Sequence, residues 1–194
     1  MAEVIVLRAG YATEERSGSV VRQRAGCTIS LIRGQTYILV DTGGPSESAT
    51  LLASLARQAL RPEDIQYVIS THGHIDHVGN GNLFPHAIFV SSRDRAVGDA
   101  YDRLDFSAGP IQLTEDVHIM PTPGHTSEDI SVLVTTANGL VAIVGDLFEH
   151  ADDARDESWL ASSSNPEQQR ASREHINSIA RWIVPGHGAM FRVR

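Results

Sequence analysis

Thr71-His72-Gly73-His74-Ile75-Asp76-His77 places three imidazoles and one carboxylate within six residues. Neutral imidazole is a favoured ligand for zinc, iron and copper, and carboxylate adds a harder oxygen donor. In an extended segment His72 and His74 point the same way, because side chains alternate with period two. The chain must then turn, so that Asp76 and His77 can face a second point nearby. One short segment can therefore seed two metal sites.

Three later segments strengthen that reading. Pro123-Gly124-His125 follows the apolar run from Val117 to Met120, Gly145-Asp146 follows Leu140 to Val144, and Gly186-His187 follows Trp182 to Val184. Each pairs a ligand-capable residue with a glycine after a strand-like run. Glycine lets the backbone turn sharply there and approach another group closely. All four segments thus put their candidate ligands at strand ends, where open α/β sheets carry their sites.

The order His-x-His-x-Asp-His, Gly-His, Gly-Asp, Gly-His resembles the metallo-β-lactamase superfamily. The resemblance implies an α+β fold, the αββα sandwich, and two divalent metal ions. By that resemblance His72, His74 and His125 form the first site. Asp76, His77 and His187 form the second, and Asp146 bridges the two. Gly10-Tyr11-Ala12, Val40-Asp41-Thr42-Gly43-Gly44-Pro45, Gly145 to Glu149, Ser158-Trp159, Val184 to Gly188 and Phe191 to Val193 extend it over nearly the whole chain. They point to one branch of the superfamily. That branch implies endonucleolytic cleavage of RNA, at the 3′ end of histone precursor messenger RNA, by a homodimer. The chain departs from the pattern at Ile75 and in a compact hairpin near residue 25, and neither touches a ligand.

Bulk properties narrow the alternatives. A chain of 194 residues is read as one domain, 1–194, with room for a substantial core. No apolar run approaches a membrane span, and the N-terminus carries no basic leader followed by an apolar region, so no signal peptide is expected. The single cysteine, Cys27, excludes an internal disulfide and fits a reducing, cytoplasmic setting, with a nuclear one implied by the RNA resemblance. Cys27 is read as a buried structural thiol. The formal charge of −8 argues against non-specific binding to a polyanion. All basic side chains are arginine, which removes any lysine nucleophile. Arg93, Arg95 and Arg103, and a second group of Arg170, Arg173 and Arg181 on a predicted helix, could meet phosphates, although solvated surface charge is the reading for most of them.

The chain also contains one unit twice. Cys27 to Arg33 and Thr36 to Asp41 read as a hairpin, followed by a helix from about Ser46 to Leu60 and a strand from Gln66 to Ser70 that delivers His72. Ile130 to Thr136 and Leu140 to Val144, joined by Asn138-Gly139, read as a second hairpin. A helix with Asn165 as cap and Pro166 at its first position follows, and the strand Trp182 to Val184 delivers His187. Thirty-one residues separate Asp41 from His72 and 41 separate Asp146 from His187, so the second half carries about ten extra. These are placed in Glu149 to Asn165, a long loop near the site with the character of a lid. The duplication makes Asp41 the counterpart of Asp146, and it is read as a carboxylate that orients a ligand or stabilises a turn. His86, His118 and His175 are read as structural or surface residues. His150 could line the pocket but is read as outside it. Trp159 and Trp182 are expected to pack in the core or cover the site.

The donor set suits Zn²⁺, and the second site would also accept Fe or Mn. Two ions sharing a carboxylate lower the pKa of a water between them towards about 7, giving a hydroxide nucleophile, with Asp76 placed to orient it. Such a centre hydrolyses phosphodiesters or acyl esters. An RNA substrate follows from the resemblance. A small-molecule thioester or lactone is the first alternative, favoured by a compact domain. A mononuclear iron dioxygenase of the persulfide type, using only His72, His125 and Asp146, is a further alternative. A metal held for stability alone is the weakest reading, since structural sites are closed and four-coordinate.

Overall fold

The computed structural model describes residues 1–193. Its strands are β1 (Glu3–Arg8), β2 (Tyr11–Ser17), β3 (Val20–Gly26), β4 (Ile29–Arg33), β5 (Tyr37–Val40), β6 (Tyr67–Ser70), β7 (Ile88–Ser91), β8 (Asp94–Val97), β9 (Ala100–Arg103), β10 (Ile111–Thr114), β11 (Val117–Pro121), β12 (Ile130–Thr136), β13 (Gly139–Ile143), β14 (Trp182–Val184) and β15 (Phe191–Arg192). Its helices are α1 (Ser48–Arg57), α2 (Ile75–Val78) and α3 (Pro166–Ile179). One sheet has seven strands in the order β1-β4-β5-β6-β7-β8-β9, the other has six in the order β10 to β15, and β2-β3 form a separate ribbon.

Side-chain alternation builds the layers. Ile38 and Val40 of β5 face inward with Ile69 and Val90, meeting Val132, Val134, Ile143 and Val184 of the other sheet in a core of β-branched residues. Leu39 of the same strand faces outward with Leu31 and Val68, and there Leu51 and Leu55 of α1 cover the sheet. Ile176 of α3 packs in the same way on Leu133, Ala142 and Ile183. The layer order is helix, sheet, sheet, helix. Truncating Leu55, which is fully buried, would leave a cavity costing about 2–5 kcal/mol.

The duplication holds in the pairing pattern. β4 and β5 pair antiparallel and β5 pairs parallel with β6, while β12 and β13 pair antiparallel and β13 pairs parallel with β14. In each unit the helix is the crossover between the two parallel strands. Asn165 caps α3, its side chain accepting from Gln168 N at 3.1 Å, with Pro166 at the first turn. α1 is shorter than predicted. It ends where Ala59 takes φ +58°, although Leu60 beyond it is still buried. Arg181 lies past the end of α3 rather than on it. The long segment after Asp146 contains two 3-10 turns, Ala151–Ala154 and Ser158–Ala161.

Candidate metal centre

β6 delivers the first motif. Thr71 follows it and is held on both sides: its N–H and hydroxyl donate to Asp41 at 2.8 and 2.9 Å, and its carbonyl accepts from Ile130 N of the second sheet at 2.9 Å. His72 therefore leaves the sheet edge in a fixed direction and is buried, while His74 is exposed. The helix α2 begins immediately after His74 and turns His77 back under the motif, fully buried. His77 N donates to His74 O at 2.9 Å, and Thr42 N donates to His77 O at 2.7 Å.

The glycine positions are dictated by close approach. Gly145 has φ +53°, and a Cβ there would lie 2.4 Å from Thr71 Oγ1. A Cβ on Gly186 would lie 1.9 Å from Asp146 Oδ1. These two residues let β13 and β14 bring Asp146 and His187 against the first motif.

All seven sequence-predicted residues converge. Donor atoms of His72, His74, His125 and Asp146 lie within 4.8 Å of one another, as do those of Asp76, His77 and His187. Asp146 sits between the two groups. Its Oδ2 is 3.7 Å from His72 Nε2, 3.4 Å from His125 Nε2 and 3.2 Å from His187 Nε2, and its Oδ1 is 3.2 Å from His77 Nε2. Cys27, Asp41 and His77 also approach one another. That third group is a different matter: Asp41 is engaged by Thr71 and by His77 Nδ1, and burial pushes the Cys27 thiol well up, with Asp41 adding to it, so it stays protonated.

The electrostatics favour cations at the centre. His72 Nε2, His77 Nε2, His125 Nδ1 and Asp146 Oδ1 are buried without a hydrogen-bond partner, and orphaned buried polar atoms call for an explanation. Burial, then the neighbouring His77, push the His72 imidazole well below its usual range, which keeps it in the neutral form that binds metal. Burial would raise the Asp146 carboxyl, but His77 and His187 hold it well below the usual range as a carboxylate. Burial would lower His77, and Asp41 and Asp146 outweigh it and hold it well up. So much imidazole around one buried carboxylate fits divalent cations, which would stand where those protons stand.

The residues around the seven were less visible in sequence. Asp41 orients His77, as the duplication anticipated. His187 Nδ1 is 3.2 Å from Gly26 O at the end of β3. Thr28 Oγ1 accepts from Gly10 N at 3.0 Å and donates to Gly188 O at 3.0 Å. Gln169 Nε2 donates to the carbonyls of Asp146 and Leu147, both at 3.2 Å. Arg173 is not solvated: it is buried between the rings of Phe148 and Trp159, at 4.0 and 4.3 Å, with its pKa lowered by burial to about 10. The signal for this pair was present, since Gln169, Arg173 and Ile176 occupy the buried stripe of α3. Three other arginines of the two groups have local partners: Arg95 is 2.8 Å from Asp102, Arg170 is 2.9 Å from Glu157, and Arg93 lies over Phe106.

A cavity of about 580 Å³ opens above the centre. One wall is the β2-β3 ribbon, with Glu14, Gln23 and Arg24. The other is the segment after Asp146, with Glu149, His150, Ser158, Trp159 and Ser162. His150 thus lines the site, contrary to the sequence reading. Trp159 both covers the site and packs, and Trp182 packs against the inter-sheet core. His86 and His175 are exposed and His118 is half-buried in β11, all three apart from the cavity wall. Ile75 is exposed and lies off the cavity wall.

An αββα sandwich with paired His/Asp clusters at one sheet edge defines a metallo-hydrolase class. A sequence model described as the metallo-beta-lactamase superfamily matches residues 22–101. Metallo-beta-lactamase domain-containing protein 1 of Xenopus laevis is 45% identical over 194 residues, covering 98% of this chain and 81% of that one. The chain belongs to the metallo-beta-lactamase superfamily. Solved structures agree in fold. A Thermotoga maritima protein, solved as a candidate metallo-beta-lactamase, superposes with TM-score 0.74 at 22% identity, over 98% of this chain and 99% of that one. An N-acyl homoserine lactone hydrolase with N-hexanoyl-L-homoserine bound at its catalytic metal center superposes with TM-score 0.68 at 18% identity, over 96% and 92%. Among the described residues, no helix is long and apolar enough to cross a membrane.

Proposed function

We propose that the chain is a binuclear metal-dependent hydrolase of esters, with RNA phosphodiesters as its substrate. In this reading His72, His74 and His125 hold one divalent ion, Asp76, His77 and His187 hold the other, and Asp146 serves both. The observation that carries it is the position of Asp146, within 3.7 Å of a nitrogen from each of His72, His77, His125 and His187. Two divalent ions, zinc foremost with iron or manganese as alternatives, would supply Lewis acidity and a hydroxide nucleophile at neutral pH.

The protein's own residues supply the rest. Asp41 and Gly26 fix which nitrogens of His77 and His187 face the centre. Asp76, partly exposed at the cavity floor, accepts the proton of the attacking water and orients it. Asp146 is buried and is held as a carboxylate by His77 and His187. The walls would flank a substrate seated over the floor. Arg24 lines the cavity and Arg22 lies two residues along the same strand, and both are exposed to meet phosphate. The complete second cluster, Asp76, His77 and His187, supports this reading over a mononuclear iron dioxygenase, in which His72, His125 and Asp146 would suffice.

A second reading, a small-molecule acyl hydrolase for thioesters or lactones, is favoured by the cavity. Its volume falls in the range of small-ligand pockets, about 300–1,000 Å³, and its walls mix acidic with basic groups. The test is a cleavage assay with zinc-loaded protein and its Asp76→Ala variant, on a stem-loop RNA with a single-stranded 3′ extension and on thioesters and lactones. RNA cleavage lost in the variant supports the first reading. Acyl hydrolysis alone replaces it with the second, and activity on neither sinks both.

A further inference from the structure

We propose that His150 is the proton donor to the leaving group, set in place by Asp153. The assignment rests on the hydrolase reading above and extends it to a step for which no residue has yet been named. His150 follows β13 and the Asp146 turn, and its backbone lies against the last motif. Glu149 O accepts from His187 N at 2.7 Å, and a Cβ on Gly188 would lie 3.5 Å from His150 Cβ. The side chain lines the same cavity as Asp76, Asp146 and His187. At 40% exposure it is open to the cavity, whereas Asp153 behind it is 1% exposed.

His150 Nδ1 lies 2.9 Å from Asp153 Oδ1. The other carboxylate oxygen accepts from Glu149 N at 2.6 Å and from His150 N at 3.3 Å. Asp153 is itself anchored, because the buried Arg173 donates to its carbonyl. With Nδ1–H directed to Asp153, any proton that His150 gives or takes passes through Nε2. A buried carboxylate behind a partly exposed imidazole in a reactive cavity is the arrangement that general acid catalysis needs. The capping box of the 3-10 turn Ala151–Ala154, in which Asp153 accepts from backbone N–H groups, holds that carboxylate in place behind the imidazole.

The oxygen of the attacking water bonds to phosphorus or acyl carbon, and its proton passes to Asp76. The bond from that centre to the leaving oxygen breaks, and its electron pair goes to that oxygen. The proton on His150 Nε2 moves to the same oxygen, which becomes the hydroxyl of a released alcohol or of the opened lactone, and His150 is left neutral with Nδ1–H still on Asp153. The proton on Asp76 then restores the imidazolium through solvent. An alkoxide needs this proton, because its conjugate acid is a very weak acid. A p-nitrophenolate does not need it.

The experiment compares zinc-loaded wild type with His150→Gln and Asp153→Asn on substrates that differ in leaving group. The substrates are single-stranded RNA, N-hexanoyl homoserine lactone, bis(p-nitrophenyl) phosphate and p-nitrophenyl acetate. His150→Gln should lower kcat on the RNA or lactone by about 10²–10⁴-fold. Its loss on the matching p-nitrophenyl ester should be smaller by at least about tenfold. Asp153→Asn should shift the pattern in the same direction, and ¹⁵N spectra of the imidazole should show the Nδ1–H seen in wild type redistributed in that variant. Equal losses on both leaving groups, or no loss, would overturn the proposal. Wild-type activity on p-nitrophenyl esters alone would overturn it while the hydrolase reading stands. Activity on none of the four would sink the hydrolase reading and the proposal with it.

Discussion

Asp41 Oδ2 lies 2.9 Å from His77 Nδ1, and both residues are buried beneath the metal motif. The two sit 36 positions apart, Asp41 just past the end of β5 and His77 on α2, so the link couples the first sheet directly to the centre. A carboxylate on the far nitrogen fixes the tautomer that leaves Nε2 free for a cation.

Asp41→Asn should therefore weaken metal binding while keeping the fold. Asp41 has φ +60°, a conformation that Asn also adopts readily, so the backbone is not strained by the change. Losses of this kind of support cost about 10–100-fold in affinity. A zinc titration against a competing chelator reads it, and unchanged affinity would show that Asp41 serves the turn alone.

Gly186→Ala should remove metal binding more completely than it removes stability. The new Cβ would fall 1.9 Å from Asp146 Oδ1, so the shared carboxylate must move. Gly145→Ala adds positive-φ strain, which costs on the order of 1–3 kcal/mol, to a clash with Thr71. Metal content and thermal melting of the two variants separate these effects. Full metal occupancy in Gly186→Ala would contradict the packing described.

Much of this was legible in the chain. The seven candidate ligands are short-range motifs at strand ends, and the duplicated hairpin-helix-strand unit set their order, so Asp41 could be matched to Asp146. Residues 11–26 were legible only as a compact hairpin near residue 25. β2 and β3 carry charged and polar side chains on both faces, so no apolar alternation marks them, and the ribbon is defined by its own pairing through Gly18 with φ +60°. His150 was read as outside the cavity and Arg173 with the solvated arginines for a related reason, although Arg173 shares the buried stripe of α3 with Gln169 and Ile176. Burial of a polar group is decided by what folds over it, and the Trp159 that covers Arg173 comes from a turn with no periodic signal.

Arg173→Met should lower stability by about 1.5–3 kcal/mol, since the hydrogen bonds of a charged, buried donor to the Leu147 and Asp153 carbonyls are lost while the packing between Phe148 and Trp159 is partly kept. For a chain of this size that corresponds to a Tm lower by roughly 3–12 °C. A Tm within a degree of wild type would mean that the arginine is not holding the cavity wall.

Cys27 should resist alkylation in the native protein. Burial pushes its thiol well up and Asp41 adds to the shift, so at pH 8 it remains the unreactive thiol although a free cysteine would be partly thiolate. Iodoacetamide followed by mass spectrometry should find it unmodified until denaturant is added. Rapid native labelling would place it in a more open environment than the core beneath Gly43.

The central claim is that one buried carboxylate, Asp146, organises two cation positions. Metal stoichiometry tests it most directly: protein loaded with zinc, desalted and measured by inductively coupled plasma mass spectrometry, beside His187→Ala. The account predicts two zinc ions per chain in the wild type and one in the variant, from which Asp76, His77 and His187 no longer form a complete cluster. A single ion in the wild type, unchanged by the substitution, would contradict it.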